Sequence, residues 1–176
     1  MAFTAQDVKK LREMTNVGMM DCKKALQATD GDMDKAVDWL REKGLAKAAK
    51  KAGRVAAEGV AYAAVIDGVG VVIEVNSETD FAAKTDAFLD LVKNLAVVVA
   101  KQNPADVEAL KACKYPNSDL TVTEIMQEKV MSIGENMQIR RFARFDSNTS
   151  VAYVHAGGSH GVLVNLDVEG DIEATE

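Results

Sequence analysis

Val60-Ala61-Tyr62-Ala63-Ala64-Val65-Ile66-Asp67-Gly68-Val69-Gly70-Val71-Val72-Ile73-Glu74-Val75 is the stretch on which the fold class turns. Two apolar, partly β-branched runs, Val60 to Ile66 and Val71 to Val75, flank Asp67-Gly68-Val69-Gly70. Glycine accepts the positive φ that a tight turn demands, so an antiparallel hairpin is predicted. Beyond it, Phe88, Leu91, Val92, Leu95 and Val99 recur at helical spacing and are apolar on more than one face. Such a helix should lie against the sheet and end near Pro104. The spacing further predicts short helices over 107–112 and 123–133, separated by the turn residues Pro116-Asn117-Ser118-Asp119. A strand follows over 137–145. A second hairpin is expected from Val151–His155 and Val162–Val168 around Gly157-Gly158-Ser159-His160-Gly161. Helices on one face of antiparallel strands make an α+β layer.

Upstream the period is helical throughout. Thr4-Ala5-Gln6-Asp7 has the hydroxyl and acid spacing of a helix start, with Val8 and Leu11 on one face. Met19, Cys22, Ala25 and Leu26 mark a second helix. Met33, Ala36, Val37 and Leu40 mark a third, with Asp32 as its cap and Gly44 as its stop. Three short helices over 1–45 form a compact bundle, marginal alone and suited to docking. Residues 46–56, with Lys47, Lys50, Lys51 and Arg54 among alanines, read as a basic helical linker. A solvated face is favoured over RNA contact there, because no aromatic residues interleave. The core then runs over 57–148. Residues 149–176 begin a further subdomain that is expected to be incomplete: Gly170 to Glu176 follows a strand with no helix to cover it. More chain, a second copy through this sheet, or another partner should complete it.

The 176 residues are 48% hydrophobic, enough for one ordinary core or two small ones, and 27% charged with a net charge of -6. The acidic balance opposes contact with a nucleic-acid backbone. No apolar run reaches the ~18 residues of a membrane span, and the N-terminus lacks the basic and apolar regions of a signal peptide, so a cytoplasmic location is expected. Cys22 and Cys113, far apart, are expected as reduced thiols. Neither a phosphate-binding glycine loop nor a convincing metal set is present; no cofactor and no metal are expected, with His155 and His160 read as surface or interface residues.

The most unusual segment is Glu74-Val75-Asn76-Ser77-Glu78-Thr79-Asp80-Phe81-Ala82-Ala83-Lys84, a polar strand-to-helix corner. Phe81 there either folds inward or projects as an anchor. Pattern alone favours inward. Ser77, Asp80 and His155 can be written as a hydrolytic triad, but nothing aligns a base with a nucleophile, and no catalytic residue is assigned.

Leu11-Arg12-Glu13-Met14-Thr15-Asn16-Val17-Gly18-Met19-Met20-Asp21-Cys22-Lys23-Lys24-Ala25-Leu26 resembles the N-terminal signature of bacterial elongation factor Ts. The resemblance continues through Gly31-Asp32, residues 48–53, Glu74-Val75-Asn76, Thr79-Asp80-Phe81, Ile133-Gly134-Glu135-Asn136 and Ile139-Arg140-Arg141. It departs at Ser77-Glu78, where many relatives carry cysteine and glutamine, and over 114–120. It implies a ubiquitin-associated-like three-helix domain that docks on the GTPase domain of elongation factor Tu, followed by the α+β core. It also implies a non-enzymatic guanine-nucleotide exchange factor. Thr79, Asp80, Phe81 and Ala82 would enter the partner near its magnesium site, so the resemblance turns Phe81 outward where pattern alone turns it inward. Leu11, Val17, Met19, Met20 and His155 would be docking residues, packing remaining the alternative for Met19. Two rivals predict otherwise. A helical adaptor without exchange activity makes Asp80-Phe81 incidental, and a hydrolase needs a pocket uniting His155 with Ser77 or Asp80.

Overall fold

A computed structural model describes residues 3–146 and 149–169. The mixed helical and antiparallel-sheet character expected from the sequence is present. By its contacts the chain divides into two compact units, 1–55 with 124–136, and 56–123 with 137–176.

In the first unit, α1 (Ala5–Thr15) opens with Thr4, whose hydroxyl accepts from the Asp7 amide while the Asp7 carboxylate accepts from the Thr4 amide. Two otherwise unpaired donors are thereby satisfied. Helix α2 (Met19–Ala28) follows a left-handed Asn16. Asp32 caps α3 (Met33–Lys51) by accepting from the Lys35 amide. Val8, Leu11, Val17, Cys22, Ala25, Leu26, Ala36 and Leu40 form the core, together with Met131 from the returning chain.

Gly44 does not stop the third helix, which runs on to Lys51 and takes in most of the expected linker. The glycine serves a close approach instead. Gly44 is buried, and a Cβ there would stand 3.4 Å from Met131 Sδ. The basic end of α3 is tied down by Lys47 to Asp21 at 2.6 Å and by the Lys51 ammonium donating to the Gly134 carbonyl.

The second unit is built on β1 (Glu58–Ile66), β2 (Val69–Ser77) and β3 (Met137–Phe145), antiparallel in that order. Ile66 pairs with Val69, so the turn is only Asp67-Gly68, with φ of 51° and 82°. Positive φ at both positions matches the twist of the flanking strands. Val69 and Gly70, expected in the turn, are strand. Between β2 and β3 in the chain come α4 (Asp80–Ala83), α5 (Asp86–Gln102), α6 (Val107–Ala112) and α7 (Val122–Ile133), the last grouped mostly with the first unit. Buried Phe88, Leu91, Val92, Leu95 and Val99 of α5 pack over β1 and β2, where Val71, Ile73 and Val75 alternate inward.

Strands β4 (Thr149–His155) and β5 (His160–Leu166) form the second hairpin around a 3₁₀ turn at Ala156–Gly158. The sequence predicts this hairpin to be uncovered, yet it lies close against the first sheet. A Cβ at Gly161 would stand 2.9 Å from the Ala61 carbonyl oxygen, and one at Gly70 would stand 2.6 Å from Ser150 Oγ. Small residues admit the approach. Val151, Tyr153, Val162, Val164 and Leu166 remain exposed. The terminal stretch 170–176 lies outside the described residues.

Candidate functional site

The corner between β2 and α5 is set by local hydrogen bonds. Ser77, the last residue of β2, is fully buried, and its hydroxyl donates to the Thr79 carbonyl at 3.0 Å. Thr79 is extended and its hydroxyl accepts from the Ala82 amide at 3.3 Å, capping α4. A one-turn helix is weak by itself. Here it is closed at the far end as well, by Thr85 Oγ1 donating to the Ala82 carbonyl at 2.8 Å.

Ala82 and Ala83 are both buried. Successive helical residues are about 100° apart, so burying positions 82 and 83 turns position 81 to solvent. Phe81 is accordingly 81% exposed, against 0% for Phe88 seven residues later. An aromatic ring displayed at a capped corner is ready to enter another protein without rearrangement.

Asp80 beside it pairs with Lys84, Nζ to Oδ2 at 2.6 Å. The Lys84 hydrogen bond holds the Asp80 carboxyl below its ordinary value, and Asp80 in turn raises the Lys84 ammonium. The pair stays ionised at neutral pH. Sequence reasoning gives Lys84 no role, although the four-residue spacing from Asp80 signals the pair.

Ser77, Asp80 and His155 are not assembled into a triad. Ser77 bonds the Thr79 carbonyl, Asp80 bonds Lys84, and His155 Nδ1 lies 3.0 Å from Tyr153 Oη. None of the three is hydrogen-bonded to another, so the pairing that a hydrolase reading requires is not made.

In the first unit, the expected docking residues separate into two kinds. Leu11 and Val17 are buried and belong to the core, so they have no side-chain surface to offer. Their helical spacing serves packing. Met19 and Met20 are 50% and 63% exposed, and Met14, which sequence reasoning misses, is exposed too. Flexible thioethers on a surface adapt well to a partner. His155 is exposed and its ring centroid lies 6.0 Å from those of both Tyr153 and His160. Among the described residues no group of three or more His, Cys, Asp or Glu is placed to hold a metal ion, and no helix is long and apolar enough to cross a membrane.

Comparison with known proteins agrees with the resemblance. Residues 78–175 match the family model described as Elongation factor TS. A protein named Elongation factor Ts from Trichlorobacter lovleyi is 52% identical over 169 residues, covering 93% of this chain and 54% of that protein. One of the same name from Magnetococcus marinus is 47% identical, covering 100% of this chain and 59% of the relative. Another, from Symbiobacterium thermophilum, is 52% identical, with 93% and 53% covered. The chain therefore spans little more than half the length of these relatives. With a family match that begins at the exposed corner and runs across the whole second sheet, the chain belongs to the elongation factor Ts family.

Proposed function

We propose that this chain acts as a guanine-nucleotide exchange factor in translation elongation, binding elongation factor Tu in the cytoplasm and promoting release of its GDP. The observation that carries the reading is Phe81, 81% exposed at a corner whose neighbours Ala82 and Ala83 are buried. An exchange factor must prefer the nucleotide-free partner, and by linkage it weakens nucleotide as much as nucleotide weakens it. Phe81 supplies an apolar wedge for that preference. Asp80 disturbs the electrostatics around the partner's magnesium ion, whose loss strips GDP of its main counter-charge. No bond is made or broken in this chain.

The three helices of the first unit act as a ubiquitin-associated-like docking module on the GTPase domain. Exposed Met19 and Met20 make the contact there, while Leu11 and Val17 support them from the core. His155, exposed on β4, adds a contact from the second unit. Stopped-flow release of fluorescent GDP from elongation factor Tu tests the reading. Acceleration by the chain that is lost in Phe81→Ala is expected. Binding without acceleration would instead identify a docking adaptor, and neither binding nor acceleration would refute both.

A further inference from the structure

We propose that Lys84 is a positioning residue of the exchange corner, holding the Asp80 carboxylate in one orientation and offsetting part of the corner's negative charge as Phe81 is brought up to the phosphate-bearing face of a nucleotide-loaded GTPase. The inference rests on the exchange reading above and assigns a role to a residue outside its contact set.

Between Arg54 and Lys93 the sequence holds one cation, Lys84, against seven carboxylates. Two of these, Asp67 and Glu74, have cations supplied from elsewhere, by Lys101 and Arg141. Lys84 is left to serve the corner itself. Its Nζ lies 2.6 Å from Asp80 Oδ2, and Glu58 also acts on it electrostatically. The Lys84 side chain is 73% exposed and that of Asp80 49%. An ion pair so wet contributes little to folding. Its place one helical turn from Asp80, on the same face, has its clearest consequence for charge.

A corner carrying Asp80 without Lys84 is anionic, and a diphosphate repels it. With Lys84 in place the corner is still acidic but by one charge less, and what approaches the phosphates is an aromatic ring beside an ion-paired carboxylate. The ion pair also fixes the Asp80 side chain along α4, so the carboxylate reaches the partner in one orientation. Removing one positive charge about 10 Å from a magnesium-bound diphosphate of net charge about -1 in water slows encounter about twofold at low ionic strength, and salt abolishes the difference.

The test measures fluorescent GDP release from elongation factor Tu by the full chain and by Lys84→Met, Lys84→Gln, Lys84→Arg and Phe81→Ala, across a range of salt concentrations. Helical circular dichroism and thermal midpoints verify folding, and two neutral variants guard against one that misfolds. For Met and Gln we expect a loss of about twofold in the apparent second-order rate constant at low salt, closing as salt rises. Arg should retain the rate. A loss of equal size at every salt concentration, shared by Arg, would assign Lys84 a packing role and overturn the proposal; so would full activity in Met and Gln at low salt. If the unsubstituted chain fails to accelerate release and Phe81→Ala matches it, the exchange reading itself is lost and this inference with it.

Discussion

Replacing Phe81 by alanine should separate folding from the proposed exchange function. Moving a fully exposed phenylalanine side chain into an apolar site is worth about 1.5–3 kcal/mol. Phe81 is 81% exposed, so most of that transfer, about 2 kcal/mol, remains to be gained when the ring enters a partner. Its loss corresponds to about thirtyfold in the apparent affinity for the nucleotide-free state. The folded chain should hardly notice, because substitution of an exposed residue with no packing role stays within about 0.5 kcal/mol. Phe88→Ala provides the contrast. That ring is fully buried, and its truncation should cost about 3–5 kcal/mol of stability. The assay pairs urea unfolding of both variants with GDP release from elongation factor Tu. If Phe81→Ala unfolds as Phe88→Ala does, the ring is packed inward in solution and the corner displays no anchor. If it unfolds normally and release is unchanged within about twofold, Phe81 is no wedge.

Other outcomes follow from the same structure. Leu11→Ala should destabilise the chain by about 3 kcal/mol in urea unfolding, whereas Met20→Ala should leave stability within about 0.5 kcal/mol and weaken binding to elongation factor Tu. Thr79→Ala removes the cap of α4, costing about 1 kcal/mol, and should slow GDP release although Phe81 is intact; Thr79→Ser should restore the rate. Gly161→Ala drives a methyl group to within 2.9 Å of the Ala61 carbonyl, and unfolding should show a loss of about 1–3 kcal/mol. Asp7 is held below its ordinary carboxyl value chiefly by the backbone hydrogen bond from Thr4, then by the Thr4 hydroxyl. Its contribution is therefore present above the unfolded-state value and lost as pH falls through the folded one, from about pH 5 downward. Asp7→Asn should flatten the acid side of the stability profile measured by thermal unfolding.

Much of the fold is legible in the sequence because its elements satisfy local rules. Thr4 and Asp7, Asp32, and the Asp67-Gly68 turn all carry side chains or torsions suited to where they stand, so their signals need no tertiary context. Gly44 shows where local rules fail. A glycine after an apolar periodic run fits a helix stop and a close helix approach equally, and only the return of Met131 from 87 residues away decides between them. The regrouping of 124–136 with the first unit is beyond reach for the same reason. Cover for the second hairpin is hidden too, because the glycines that let it approach β1 look like turn residues in sequence.

At the candidate site, hydrophobic pattern fails on Phe81 for a definable cause. Hydrophobicity ranks phenylalanine as the residue to bury at a strand-to-helix corner, and in a long helix it would be. In a single capped turn only one side faces the core, and Ala82 and Ala83 already occupy it. A small-residue pair next to a large one thus reverses the ordinary expectation: the small residues let α4 sit close to the sheet, and closeness leaves no room for a ring. Leu11 and Val17 illustrate the opposite error. Grouped with Met19 and Met20 as expected docking residues by proximity in sequence, they fill the core that holds α1 and α2 together. At Phe81 smaller neighbours have taken the interior and the ring is left outside, whereas Leu11 fills the interior itself.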